Sequence, residues 1–151
     1  NTQSVDSSKV FYTLKEGRKV YEGDGIMPDY TVEHDTSFYT PFIETIIDAS
    51  LTTEFCADYF DKNRTRIEEN QVKTIAQLDK FLVKAKMFDK FLDLAHERNI
   101  EYTQEELAKS GEYLNKALRY QIACYCFGTN RAYKIMVEND KYMDKAFELL
   151  K

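Results

Sequence analysis

From residue 40 onward the chain offers almost nothing that stops a helix: its glycines there are Gly111 and Gly128, and its proline there is Pro41. Five glycines and two prolines in 151 residues are too few to punctuate a fold of many short strands, so long helices are the expectation. Apolar residues recur at helical spacing through the same stretch. Pro41 suits a first helical position, and Phe42, Ile43, Ile46 and Ile47 make one apolar face, which Leu51, Phe55 and Tyr59 extend past a break near Thr52-Thr53. Residues 61–73 are charged and polar and read as a loop.

Two capping boxes follow. Thr74-Ile75-Ala76-Gln77 opens a helix whose face is Ile75, Leu78, Leu82 and Ala85, continued by Phe88, Phe91, Leu92 and Ala95 to about Arg98, with Asn99 as its stop. Thr103-Gln104-Glu105-Glu106 opens a second, lined by Leu107, Gly111, Leu114, Leu118, Ile122 and Tyr125. Gly111 inside that helix costs about 1 kcal/mol relative to alanine, which close approach of a neighbouring helix would explain. Gly128 ends or kinks the helix. Ala132, Ile135 and Met136 form a short piece after it, and Asp140 caps a last helix with the face Met143, Ala146, Phe147 and Leu150.

The first forty residues differ. Residues 1–8 are polar and serine-rich. Val10 to Leu14 and Lys19 to Tyr21 are rich in β formers, and Tyr30-Thr31-Val32 is a third run, so residues 9–34 read as two or three short strands. Gly17 and Gly25 supply the bends, and Pro28 belongs at a strand edge or in a turn. The architecture expected is mainly α: five or six helices from residue 40 to 150, preceded by a small antiparallel β element. The division is residues 1–36 against 37–151.

Ten Phe and eleven Tyr give bulk for a packed core without disulfide or metal staples. A net charge of −5 with scattered basic residues argues against nucleic acid as a partner. No apolar run is long enough for membrane insertion. The chain starts Asn1-Thr2-Gln3 without an initiator Met, which suits a processed protein or, the preferred reading, a segment cut from a longer polypeptide.

Chemistry-bearing residues are sparse. His34 and His96 are the two histidines, and neither has the clustered partners a zinc site needs; both read as surface residues, and no metal or cofactor is expected. Cys56, Cys124 and Cys126 read as small hydrophobes in or near the core; Cys124 and Cys126 sit two apart on a helix and cannot pair. No Gly-x-Ser-x-Gly elbow occurs, and Gly23-Asp24-Gly25 lacks what a phosphate loop requires. Glu68-Glu69 and Glu105-Glu106 are simplest as solvated charge, and the sequon Asn63-Arg64-Thr65 as a chance match.

Residues 12–32, Tyr-Thr-Leu-Lys-Glu-Gly-Arg-Lys-Val-Tyr-Glu-Gly-Asp-Gly-Ile-Met-Pro-Asp-Tyr-Thr-Val, are more specific. They resemble a segment of the C-terminal processing peptidases, or tail-specific proteases, in which a strand leads to Gly-Arg, a β-branched residue, a glycine-containing turn, Gly-Ile-x-Pro-Asp and another strand. The matching residues are Gly17, Arg18, Val20, Gly23, Gly25, Ile26, Pro28 and Asp29. The helical remainder, with Phe81-Leu82, Phe127-Gly128, Asp140 and residues 146–150, is more loosely similar to the C-terminal helical extension of one branch of that family.

The resemblance implies a parent that is a serine-type endopeptidase of the cell envelope or periplasm. It would cut near the C-termini of protein substrates with a serine nucleophile and a lysine base. In the family both lie before the Gly-Arg segment, so no catalytic role falls on any residue here. Gly17, Arg18, Gly23, Gly25, Ile26, Pro28 and Asp29 are a structural motif, with Arg18 and Asp29 holding the crossing turns. The segment would support, cap or oligomerise the catalytic core of the same polypeptide and be inactive alone. Its partners would be that core, protein or peptide substrates through it, and a second copy in a homodimer. The alternatives are an independent helical module that binds a protein through an apolar groove, and an enzyme with an unrecognised site.

Overall fold

The computed structural model describes residues 10–15, 17, 19–21, 30–33 and 35–150. The chain divides into two units, residues 1–33 and 34–151.

In the first unit, β1 (Val10–Tyr12) and β2 (Lys19–Tyr21) form an antiparallel pair. Val10 lies opposite Tyr21, Phe11 opposite Val20 and Tyr12 opposite Lys19. Gly17 sits at φ +61° and its N–H donates to the Thr13 carbonyl at 3.0 Å. Tyr30, Thr31 and Val32 are described outside any strand. Of the motif residues, Arg18, Gly23, Gly25, Ile26, Pro28 and Asp29 lie outside the described residues, as does the expected Arg18–Asp29 contact.

The second unit is mainly α, as expected. Among the described residues it contains seven helices: α1 (Pro41–Asp48), α2 (Leu51–Glu69), α3 (Ile75–Lys84), α4 (Met87–Glu97), α5 (Gln104–Phe127), α6 (Thr129–Met136) and α7 (Lys141–Leu149). Their starts follow local chemistry. Thr40 caps α1, with Pro41 at its first position. Thr74–Gln77 and Thr103–Glu106 both close as reciprocal capping boxes. The Asp140 carboxylate accepts from the Tyr142 and Met143 N–H groups at the start of α7. Gly128, at φ 79° and ψ 160°, separates α5 from α6.

The seven helices exceed the five or six expected, and two segments differ from expectation. Residues 61–69 are helix, not loop: α2 runs unbroken for 19 residues and buries Phe55, Cys56, Tyr59, Asn63 and Ile67 along one side. The polar Asn63 in that series hides the period, and the i,i+4 ion pairs Asp58–Lys62 and Arg64–Glu68 support the helix. The helix expected from 75 to about 98 is instead two. Lys86 takes a left-handed φ of 52° between α3 and α4.

Lys86 has company. Ser50 (52°), Gln71 (50°), Asn99 (56°) and Asn139 (56°) also carry positive φ at corners between helices. After α2 the corner is a Schellman turn: the Val72 N–H donates to the Ile67 carbonyl and the Gln71 N–H to the Glu68 carbonyl, while the Val72 side chain packs on the core.

The core centres on α5, which packs against α1, α2, α3 and α6. Leu114, Leu118 and Ile122 of α5 are buried with Phe42, Ile43, Ile46, Leu51, Leu78, Phe91 and Ile135. Ile47 and Tyr125, expected on apolar faces, are exposed. Gly111 does not mark a backbone-to-backbone approach. A Cβ built there meets Leu107 Cδ1 at 3.5 Å and Phe88 Cζ of α4 at 3.8 Å, ordinary contact distances. On α7, Met143, Ala146, Phe147 and Leu149 are exposed, as is Leu150 at its C-cap.

Candidate functional site

Helices α2 and α4 flank an open groove of about 590 Å³. A groove of this size admits a small organic ligand. Its floor is aromatic because the fourth-residue spacing on α2 turns Phe55 and Tyr59 the same way. The Phe55 ring lies 5.5 Å from that of Tyr59 and 5.4 Å, edge-on, from Phe91 of α4. Tyr59 is only 5% exposed, and its hydroxyl is enclosed without a hydrogen-bond partner among the described residues. Burial pushes the Tyr59 phenol upward and the Arg66 charge only partly offsets this, so at neutral pH it remains an O–H donor.

The next turn of α2 completes the wall. Asn63, also buried, donates from Nδ2 to the Tyr59 carbonyl at 2.8 Å and accepts at Oδ1 from Arg66 Nη1 at 3.0 Å. A buried amide so engaged is not an acceptor for a glycan, in keeping with the sequon as a chance match. The Arg66 guanidinium lies 5.6 Å from the centre of the Phe81 ring. From α4, the Lys90 ammonium lies 5.8 Å from the centre of the Tyr59 ring. The rim holds two ion pairs, Lys62 with Asp58 at 2.6 Å and Arg98 with Glu54, and also Glu97. Four cations stand against three carboxylates, so the groove is locally positive on a chain of net charge −5. Apart from Asn63 in its sequon, none of these residues stands out as a candidate site in the sequence. A buried tyrosine in a helical apolar series reads as core, and only the orphan hydroxyl distinguishes it.

A second groove, of about 460 Å³, lies between α3–α4 and α5, but its Arg119 and Asp79 are paired with each other. Arg119 donates to both Asp79 oxygens at 2.8 and 2.9 Å and reaches Glu138 Oε2 at 3.3 Å. A third, of about 450 Å³, has Asp35, Lys109 and Lys116 among its walls. There Asp35 accepts from Ser37 Oγ at 2.6 Å and pairs with Lys141 at 3.0 Å, while Lys116 donates to the Glu138 carbonyl at 2.7 Å.

The sequence candidates do not assemble into a reactive group among the described residues. His96 Nδ1 lies 3.5 Å from Glu101, both strongly exposed, and His34 lies outside the described residues. All three thiols are free. Cys56 is buried, with Sγ 3.8 Å from the Leu118 carbonyl, and burial pushes it up to about 12. Burial also pushes the half-buried Cys126 up to about 11. No three His, Cys, Asp or Glu among the described residues converge as metal ligands. No helix among them is long and apolar enough to cross a membrane.

A family model described as a family of unknown function (DUF8443) matches residues 42–128, and the chain belongs to that family. The match runs from α1 to Gly128 and includes the whole α2–α4 groove. No curated protein matches the chain, and no solved structure does.

Proposed function

We propose, starting from a chain whose family carries no assigned function, that it is the C-terminal, non-catalytic portion of a serine-type endopeptidase resembling the C-terminal processing proteases. In this reading the segment supports, caps or oligomerises a catalytic core on the same polypeptide, in the cell envelope or periplasm. Protein or peptide substrates reach it through that core, and a second copy of the chain is a further partner. The supporting observation is the hairpin. Strand β1 leads to Gly17, which turns at φ +61°, and Val20 follows within β2, the order the peptidase pattern requires. A separate helical unit begins at residue 34.

The gene sequence ahead of Asn1 tests this directly. A serine–lysine peptidase core encoded there supports the reading; a leader alone overturns it. Peptidase activity in the isolated 151-residue chain would also overturn it.

A second reading, an independent helical protein-interaction module, is favoured by α7. Phe147 of α7 is 61% and Leu150 at its C-cap 84% exposed, and the helix has no buried residue; apolar faces of this kind are used in helix docking. The same gene sequence separates the two readings.

A further inference from the structure

We propose that the groove between α2 and α4 is a binding site for a small organic monocarboxylate with an apolar or aromatic tail, with the Tyr59 hydroxyl as the hydrogen-bond donor to the carboxylate. The inference is independent of the peptidase reading, because it rests on residues of the helical unit alone.

Three observations carry it. The first is the orphan donor: Tyr59 is buried to 5% exposure and its hydroxyl has no acceptor among the described residues. A buried polar atom left without a partner is costly and calls for one. Burial keeps this phenol protonated, so the partner it lacks is an acceptor.

The second is charge. Lys62 and Arg98 are taken up by Asp58 and Glu54. Arg66 is engaged by the neutral Asn63 amide and Lys90 by the face of the Tyr59 ring. Two cations therefore stand beside the phenol against the single remaining carboxylate of Glu97. A net of one positive charge suits a monoanion and leaves a phosphate dianion one charge short of compensation.

The third is shape. The floor of Phe55, Tyr59 and Leu94 gives an apolar surface for the tail, within a volume of about 590 Å³. The long, exposed side chain of Lys90 reaches over the face of the Tyr59 ring, its ammonium 5.8 Å from the ring centre. An incoming carboxylate displaces that stem and keeps its ammonium as counter-ion.

The test uses the full 151-residue chain, isotope-labelled, titrated with 4-phenylbutyrate and followed by backbone amide shifts in NMR. Saturable shifts confined to residues 54–66 and 90–98 are expected, weakening as salt is raised. The neutral amide of the same acid is expected to bind at least tenfold more weakly. Tyr59→Phe keeps the ring and the fold and is expected to weaken binding about tenfold; Lys90→Gln, a surface change, weakens it and flattens the salt dependence. The proposal is overturned if no saturable shift occurs in the groove or if the amide binds as well as the acid. It is also overturned if Tyr59→Phe binds unchanged, which would mean that water alone satisfies the phenol. Tighter binding of phenyl phosphate than of 4-phenylbutyrate would overturn the choice of a monocarboxylate.

Discussion

Arg119 of α5 forks onto both carboxylate oxygens of Asp79 on α3, at 2.8 and 2.9 Å, and the same guanidinium reaches Glu138 beyond α6. Asp79 and Glu138 together raise the Arg119 pKa, Asp79 foremost. One planar side chain thus ties three stretches of chain, through a bidentate fork that a lysine ammonium cannot reproduce. Arg119→Lys is expected to cost about 1 kcal/mol, the range for a partly exposed bidentate pair. A double-mutant cycle with Asp79→Asn in urea unfolding measures the coupling, which should shrink toward zero in 1 M salt. Full additivity of the two changes would show that the pair contributes nothing.

The two glycines of the helical unit should respond oppositely to alanine. At Gly111 the new methyl meets only ordinary contacts, and helix propensity favours alanine, so Gly111→Ala should stabilise by about 1 kcal/mol. At Gly128 there is open space but φ is +79° with ψ 160°, a region essentially restricted to glycine. Gly128→Ala should destabilise by about 1–3 kcal/mol. Thermal melts of the two variants decide; shifts of the same sign would contradict the backbone argument.

Cys56 sets an alkaline limit. An unfolded thiol loses its proton near about pH 8.5, whereas the buried Cys56 holds on to about 12. Between those values the folded state binds more protons, so stability falls as pH rises. Cys126 and Tyr59 act in the same direction. Urea unfolding from pH 7.5 to 10.5 should show a shallower decline in Cys56→Ala, by up to about 1.4 kcal/mol per pH unit for one proton. Identical slopes would remove Cys56 from the explanation. In the native wild type at pH 8, iodoacetamide should leave Cys56 unlabelled.

At the acid end the matching group is Asp35. Its carboxylate is held well below the ordinary range, first by the Ser37 hydroxyl and then by Lys141 at the start of α7. Because the folded pKa is depressed, the contribution is complete above the ordinary carboxylate range, near about pH 4, and fades as pH falls below it. The melting temperature of Asp35→Asn should therefore lie below the wild type at pH 7 and converge with it toward pH 2. A constant gap across that range would refute the assignment.

Most helix starts were legible because each is set by a few adjacent atoms. Thr74 and Gln77, Thr103 and Glu106, Pro41 and Asp140 all do locally what their types predict, and Gly128 ends α5. The stretch from 61 to 69 was illegible because its buried position is filled by Asn63, whose amide is satisfied by the Tyr59 carbonyl one turn away, a fact invisible without the fold. The break at Lys86 was hidden for a different reason. A lysine in left-handed backbone carries no composition signal. The groove was missed for a related reason, since the solitude of the Tyr59 hydroxyl emerges only when every neighbour is in place.

The five bends at Ser50, Gln71, Lys86, Asn99 and Asn139 have an engineering meaning. Side chains in left-handed backbone are strained, asparagine least, and glycine there relaxes the bend. Residues 50, 71 and 86 are exposed, so changing them disturbs neither the interior nor the α2–α4 cleft. The molecule therefore carries latent thermal headroom at its hinges, open to hardening one corner at a time while whatever it binds goes undisturbed.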